Sequence, residues 1–269
     1  GSWKRKYNLN ENYFKTWSNN MAYILGFFVA DGTVIRDAQS ISFSQKEKYI
    51  LENIRGELES NHPIYQNPKT DVYMLNINSK IMKTDLMEMH GIMPAKSNTV
   101  KFPYVPDQYM NHFIRGYFDG DGYVNYEKYN ITFTGGSSSF MNSLIYVLEK
   151  HGFFPSINTN GSHYWVQING RKTLKLFANW IYESKTLYLK RKFMTFEQET
   201  LEIYELKDNK HKNTKTAIEK RKSDFIKAYA TCNSEQEACD CVNIKIQTYH
   251  KWLKTDKNFK QKMLVQKLK

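Results

Sequence analysis

Hydrophobic positions along this chain follow two rhythms, and they follow them twice. Ile50, Leu51, Ile54 and Leu58 recur at steps of three and four, as do Phe140, Met141, Leu144 and Leu148, the spacing of a helix with one buried face. Ile41-Ser-Phe-Ser44 and Ile131-Thr-Phe-Thr134 alternate apolar with polar as half-buried strands do, and stand 90 residues apart (131 − 41). Tyr73-Met-Leu-Asn-Ile-Asn78 returns as Tyr164-Trp-Val-Gln-Ile-Asn169, 91 residues on (164 − 73). Each half therefore predicts helix, strand, strand, helix, strand, strand, helix, over residues 12–105 and then 106–200. Repetition on this scale means one supersecondary plan used twice, here of the α+β class.

The opening helices of the two halves carry the candidate chemistry. Ile24-Leu-Gly-Phe-Phe-Val-Ala-Asp-Gly32 and Ile114-Arg-Gly-Tyr-Phe-Asp-Gly-Asp-Gly122 hold small residues four apart, Gly26 with Ala30 and Gly116 with Gly120. That spacing leaves a groove along one helix face, so the two helices can meet backbone to backbone with their last turns side by side. Gly32 and Gly122 are expected to end them in the left-handed conformation. Asp31 and Asp121 then fall together at helix C-termini, where the dipole and their mutual repulsion both disfavour negative charge. A divalent cation compensates naturally, because Mg²⁺ prefers one or two carboxylates, waters and phosphate oxygens to an all-protein cage. The bland alternative is a pair of ordinary helix caps, which two matched copies make hard to sustain.

The strand alternation exposes a polar face. With Ile41 and Phe43 turned inward, Ser40, Ser42 and Ser44 face outward, as do Asn130, Thr132 and Thr134 in the second half. Asn76, Asn78, Gln167 and Asn169 join them from the later strands, with Arg36 and Asn125 nearby. Hydroxyls and amides of this kind suit base edges in the major groove. An excess of 39 Lys+Arg over 27 Asp+Glu gives a net charge of +12, as expected of a protein that neutralises phosphates. The longest apolar run, 21–30, is half of what a membrane span needs, and no stretch reads as a signal peptide. Cys232, Cys239 and Cys241 have no metal-site spacing and read as free thiols of a reducing compartment. Gly1-Ser2 reads as a remnant of cloning.

The two glycine-and-aspartate segments resemble the LAGLIDADG motifs of homing endonucleases, in the monomeric form with both half-sites on one chain. Val29 departs from the pattern where Asp119 stands in the second copy, but that position is not the family's metal ligand. The resemblance implies a duplicated αββαββα fold whose two antiparallel sheets form a saddle on double-stranded DNA. It implies a double-strand break with short 3′ overhangs in a long, poorly symmetric target, using Mg²⁺, with Mn²⁺ as a substitute and Ca²⁺ supporting binding without turnover. Asp31 and Asp121 match the metal-binding catalytic acids, with Ala30 and Gly120 beside them among the metal positions. Lys96 and Lys190, each after the last helix of its half, are the expected catalytic lysines, and Gln45 matches the polar residue near the attacking water. Its counterpart is Gly135, so the two strands are expected to receive unequal help. The same resemblance points to the cytoplasm of a bacterial or phage-infected cell, at the nucleoid, or to an organelle. With no splicing-type flanks, the chain reads as free-standing or intron-encoded.

After Glu205 the repeat ends. Residues 201–222 form a charged linker, or a helix with little to bury, and 223–269 hold three short helical patterns with a tight Val242-Asn243 turn. Ser234 with Glu237 is a capping-box signature. The segment resembles a helix-turn-helix of the phage and recombinase type, with Lys245, Gln247, Thr248, His250 and Lys251 projecting toward the major groove and Ile244, Tyr249 and Trp252 packed inward. Two other classes share these features. One is a transcription regulator built on the same domains after loss of the acids; the other is a maturase whose partner is its host intron RNA.

Overall fold

The computed structural model describes residues 6–208 and 215–267, so Gly1-Ser2 and the centre of the charged stretch, 209–214, lie outside the described residues. The chain forms two compact units, 1–209 and 210–269.

In the first unit, α1 (Asn19–Asp31) runs directly into β1 (Gly32–Val34), followed by β2 (Ser40–Gln45), α2 (Lys48–Glu57), β3 (Ile64–Gln66), β4 (Tyr73–Asn78) and α3 (Lys80–Glu88). The plan then repeats as α4 (Met110–Asp121), β5 (Gly122–Asn125), β6 (Asn130–Gly135), α5 (Ser138–Lys150), β7 (Ser156–Thr159), β8 (Tyr164–Asn169) and α6 (Arg171–Ile181). A seventh helix, α7 (Lys190–Phe196), follows the second copy and was not legible in the pattern. Each half is one antiparallel sheet, ordered β1-β2-β4-β3 and β5-β6-β8-β7. The registers match: Ser42 pairs with Asn76, and Thr132 with Gln167. The inward residues Ile41, Phe43, Leu75 and Ile77, and their equivalents Ile131, Phe133, Val166 and Ile168, are fully buried beneath the helices.

The two halves join along α1 and α4. A Cβ added at Gly26 would lie 2.0 Å from the Phe113 carbonyl oxygen, and one at Gly116 would lie 1.9 Å from that of Tyr23. The next small pair closes equally tightly, since a Cβ at Gly120 would lie 2.2 Å from the Ala30 Cβ. Glycine is thus required for room between backbones. The expected left-handed ends are not found: Gly32 (φ −91°, ψ 158°) and Gly122 (φ −90°, ψ 153°) are extended. Their glycine is required because a Cβ would strike the Phe28 ring at 2.2 Å or the Phe118 ring at 2.1 Å, one turn back in the same helix. This allows each helix to pass into its first strand without a loop.

Among the described residues the second unit holds four helices where three are expected: α8 (Lys215–Tyr229), α9 (Glu235–Cys241), α10 (Ile246–Thr255) and α11 (Lys257–Lys267). Its α8 begins inside the stretch read as linker. Phe225, Ala238, Cys239, Ile244, Tyr249, Trp252, Phe259 and Met263 form its core, with Phe225 stacked on Tyr249 at 4.7 Å between centroids. The Ser234 Oγ accepts the Glu237 N–H at 3.1 Å, while the Glu237 carboxylate accepts from Asn233, one residue earlier than a capping box would have it. Asn243 takes the left-handed conformation (φ 52°) that turns the chain into α10, a conformation asparagine tolerates. Among the described residues no helix is long and apolar enough to cross a membrane.

Candidate active site

The close approach of α1 and α4 sets Asp31 and Asp121 against each other. A Cβ at Gly120 would lie 3.3 Å from Asp31 Oδ2, so the first acid reaches over the backbone of the second motif. Burial pushes the Asp31 carboxyl up to about 6, against the charges of Lys192 and Lys96. Burial, and then repulsion from Asp31, pushes Asp121 up to about 7, with Lys96 and Lys192 pulling it down. Gln45, the last residue of β2, donates from Nε2 to Asp31 Oδ2 at 3.0 Å.

Lys96 comes from the end of the first half and packs against the second. Its short 3₁₀ turn, Lys96–Asn98, packs onto Gly136, where a Cβ would meet Asn98 Oδ1 at 2.1 Å and the Ser97 carbonyl at 2.8 Å. Gly136, which stands where the first half has Lys46, thus makes way for the turn that carries Lys96 toward Asp121. Burial lowers the Lys96 ammonium and both acids raise it.

Lys190 does not hold the corresponding place. It is exposed at the start of α7, with Nζ 5.2 Å from the Tyr49 ring centroid, and its main-chain N–H donates to the Tyr49 hydroxyl. Lys192 holds it instead. Its buried Nζ donates to the carbonyls of Phe118 (2.6 Å), Asp119 (2.8 Å) and Gly122 (2.5 Å), closing the negative end of α4 beside Asp121. Burial brings it down to about 8. Aligning the two copies by sequence places Lys190 opposite Lys96, but Asp119 resets the register. The fully buried Asp119 accepts the Leu189 N–H and the Tyr23 hydroxyl on Oδ2, both at 2.8 Å, and so pins the start of α7. The departure of Val29 from Asp119 was the signal that could have found it: only the second half has this helix to anchor.

On the outward sheet faces, Asn76, Asn78 and Asn169 are exposed, and Ser44, Asn125, Thr134 and Gln167 are half-buried; Arg36, in the connection between β1 and β2, is exposed as well. Ser40, Ser42 and Thr132 face the same way but are buried, because their short side chains sit beneath the taller amides across the strands. In the second sheet these groups satisfy one another: Gln167 donates to Thr132, Thr132 to Asn130, and Asn130 to Asn169. Two exposed aromatics on these faces, Tyr65 and Tyr123, escaped the alternation argument because it selects polar residues. In α10, Gln247, His250 and Lys251 are exposed, as is Lys245 at its N-cap, and Thr248 is half-buried, while Tyr249 and Trp252 point into the core.

Among the described residues no three His, Cys, Asp or Glu side chains gather as a metal cluster. Two facing carboxylates with raised pKa values, bordered by the main chain of Ala30 and Gly120, nevertheless form a hard oxygen set short of positive charge, and this fits Mg²⁺. The same shortage has a stability consequence. A folded carboxyl near 7 against an ordinary value near 4 binds its proton more tightly when folded, so metal-free stability falls as pH rises from about 4 to about 7. Asp121→Asn is therefore expected to stabilise the metal-free protein by about 1–3 kcal/mol at pH 7.5 and by nothing near pH 4. Thermal unfolding in EDTA at the two pH values checks it.

A family model described as a LAGLIDADG-like domain matches the chain twice, over residues 18–91 and 108–182. The replication factor C small subunit of Methanocaldococcus jannaschii is 24% identical over 190 residues, covering 65% of this chain and 10% of that protein. The RNA polymerase subunit Rpo1C of the same organism is 28% identical over 182 residues, 64% of this chain and 21% of that one. The chain thus spans a tenth to a fifth of these curated relatives. The homing endonuclease I-WcaI, solved on its DNA recognition sequence, matches with a TM-score of 0.49 and 16% identity, over 69% of this chain and 91% of that one. With both halves of its duplicated fold matched by one family model, the chain belongs to the LAGLIDADG family.

Proposed function

We propose that this protein is a site-specific, metal-dependent DNA endonuclease of the homing type. The observation that carries the reading is the pair of acids: two largely buried carboxylates, held together by helices that leave no room for a single methyl group, both raised by burial and Asp121 also by repulsion from Asp31, and undercompensated by Lys96 and Lys192. Keeping two such groups costs stability at neutral pH, and a packed helix pair has no structural need of them.

Asp31 and Asp121, with the main chain at Ala30 and Gly120, would hold Mg²⁺. The ion would supply charge neutralisation at the phosphodiester and a bound water of lowered pKa. Gln45, fixed on Asp31, would orient the attacking water on its side, and Lys96 and Lys192 would offset the charge that grows on the phosphate and the departing 3′ oxygen. The outward faces of the two sheets, with Asn76, Asn78, Asn125, Gln167 and Asn169 as the reachable groups, and Arg36 in the β1–β2 connection beside them, would read the major groove on either side of the cut.

A module of this kind also accounts for the company it keeps. Stretches 24% and 28% identical to this chain form a small part of a replication factor C small subunit and of an RNA polymerase subunit. A self-propagating insert is expected to show that distribution.

The second unit would act as a helix-turn-helix, with α10 adding contacts to an extended site and gaining affinity by linkage. Replacing Lys245 and Lys251 together by Ala is expected to weaken DNA binding and lower the salt dependence, the slope of log K against log salt falling by about 2. Fluorescence anisotropy across a salt series measures it, and an unchanged slope rejects this use of α10.

To test the main reading, the purified chain is incubated with a randomised duplex library in Mg²⁺, Ca²⁺ or EDTA and the cut ends are sequenced. Mg²⁺-dependent cuts at one long site with short 3′ overhangs are expected. Enrichment of bound duplex without cuts would favour a regulator, and preference for structured RNA a maturase.

A further inference from the structure

The two acids are not equally served. Gln45 pairs across the sheet with Tyr73, and at the equivalent point Gly135 pairs with Tyr164. Gly135 has no side chain to offer Asp121, and a Cβ there would already stand 2.5 Å from Met141 Cε and 3.2 Å from the Tyr117 hydroxyl. In place of a glutamine, a cavity of about 230 Å³ lies beside Asp121, walled in part by Lys96, Asp121, Tyr117, Gly135 and His163. It has room for several waters.

His163 directly precedes Tyr164, and its counterpart before Tyr73 is Val72, an apolar residue. The polar group that β2 supplies in the first half is thus missing from β6, and a polar group absent from the first half appears one strand over, at the entry to β8. The turn that carries it is well fixed. The His163 N–H donates to Asn160 Oδ1 at 2.9 Å, its carbonyl accepts from the Thr159 hydroxyl at 2.9 Å, and its Nδ1 lies 3.0 Å from Ser162 Oγ. With Nδ1 occupied by the serine, Nε2 is left for a solvent-side partner.

We propose that His163 holds the attacking water at the Asp121 centre, as Gln45 does at the Asp31 centre, so that each strand is cut with a different water-holding residue. This rests on the endonuclease reading above. His163 contributes a hydrogen bond to the water. The water oxygen forms the new bond to phosphorus as the bond to O3′ breaks, one water proton passes to solvent, and the leaving oxygen takes a proton from solvent.

The test is single-turnover cleavage, in Mg²⁺, of the library-selected duplex carrying a different label on each strand. His163→Ala is expected to slow one strand about tenfold or more and leave the other within about twofold, so that one nicked intermediate accumulates. Gln45→Ala should accumulate the opposite nick. His163→Gln should restore most of the lost rate, since an amide can hold the same water, and DNA affinity in Ca²⁺ should stay unchanged in all three. Equal slowing of both strands, no slowing, lost affinity, or no rescue by glutamine would overturn the assignment while leaving the endonuclease standing. No cleavage by the unaltered protein would overturn both.

Discussion

Asp31→Asn and Asp121→Asn are each expected to abolish double-strand cleavage, by about a thousandfold or more, while leaving affinity for the target within a few fold. Asparagine keeps the size of the side chain and the fit of α1 on α4. It removes the negative charge, and with it the interaction that draws a divalent cation to the site. Each substitution also relieves repulsion, so both variants should melt at or above the temperature of the unaltered protein in EDTA at pH 7.5. That combination separates a lost reaction from a damaged fold. Gel-resolved cleavage in Mg²⁺ and anisotropy in Ca²⁺ measure the two halves of the claim. Retained double-strand cleavage in both variants would remove these residues from the reaction.

Gly116→Ala, and likewise Gly26→Ala, should destabilise the first unit by about 3 kcal/mol or more, enough to threaten folding at 37 °C. On an exposed helix the same change stabilises, because alanine is the better helix former by about 1 kcal/mol. Here the added methyl would stand 1.9 or 2.0 Å from a carbonyl oxygen of the facing helix, and no side-chain rotation relieves a clash with backbone. The helices must separate, which unpacks the Tyr23, Phe27 and Phe113 layer and spreads the two acids. Gly56→Ala in α2 is the control: nothing lies within 4 Å of its Cβ, and stability should rise by about 0.5–1 kcal/mol. Thermal and urea unfolding of the three variants decide it, and a Gly116→Ala protein as stable as the parent would contradict the backbone contact.

The contrast between these glycines shows where sequence reasoning reached and where it stopped. The small-residue spacing in the motifs was sufficient to bring α1 and α4 together, because only glycine and alanine tolerate such an approach and the pattern occurs twice. The strands were legible for the same reason, since duplication turns a short alternating run into a repeated one. In sequence Gly32 and Gly122 read as left-handed caps, because a glycine before a strand looks the same whether it supplies φ or space. What it spares is the Phe28 or Phe118 ring, visible only in three dimensions. Lys192 is not legible in the sequence, because its place follows from a hydrogen bond from Leu189 to Asp119, 70 residues away. The burial of Ser40 and Ser42 depends on which neighbours stand taller across the sheet, which alternation leaves open. In the second unit α11 is hard to read from the pattern, because its exposed Leu264 and Val265 blur the apolar stripe that would mark it.

The most direct measurement is anomalous scattering from crystals of the unaltered protein bound to its library-selected duplex in Mn²⁺. Mn²⁺ density between the carboxylates of Asp31 and Asp121 and the phosphates of the cut is the expected result. A site with ordered DNA and no Mn²⁺ at this pair, or Mn²⁺ held elsewhere at the cut, would contradict the central claim that these two acids hold the metal that cuts DNA.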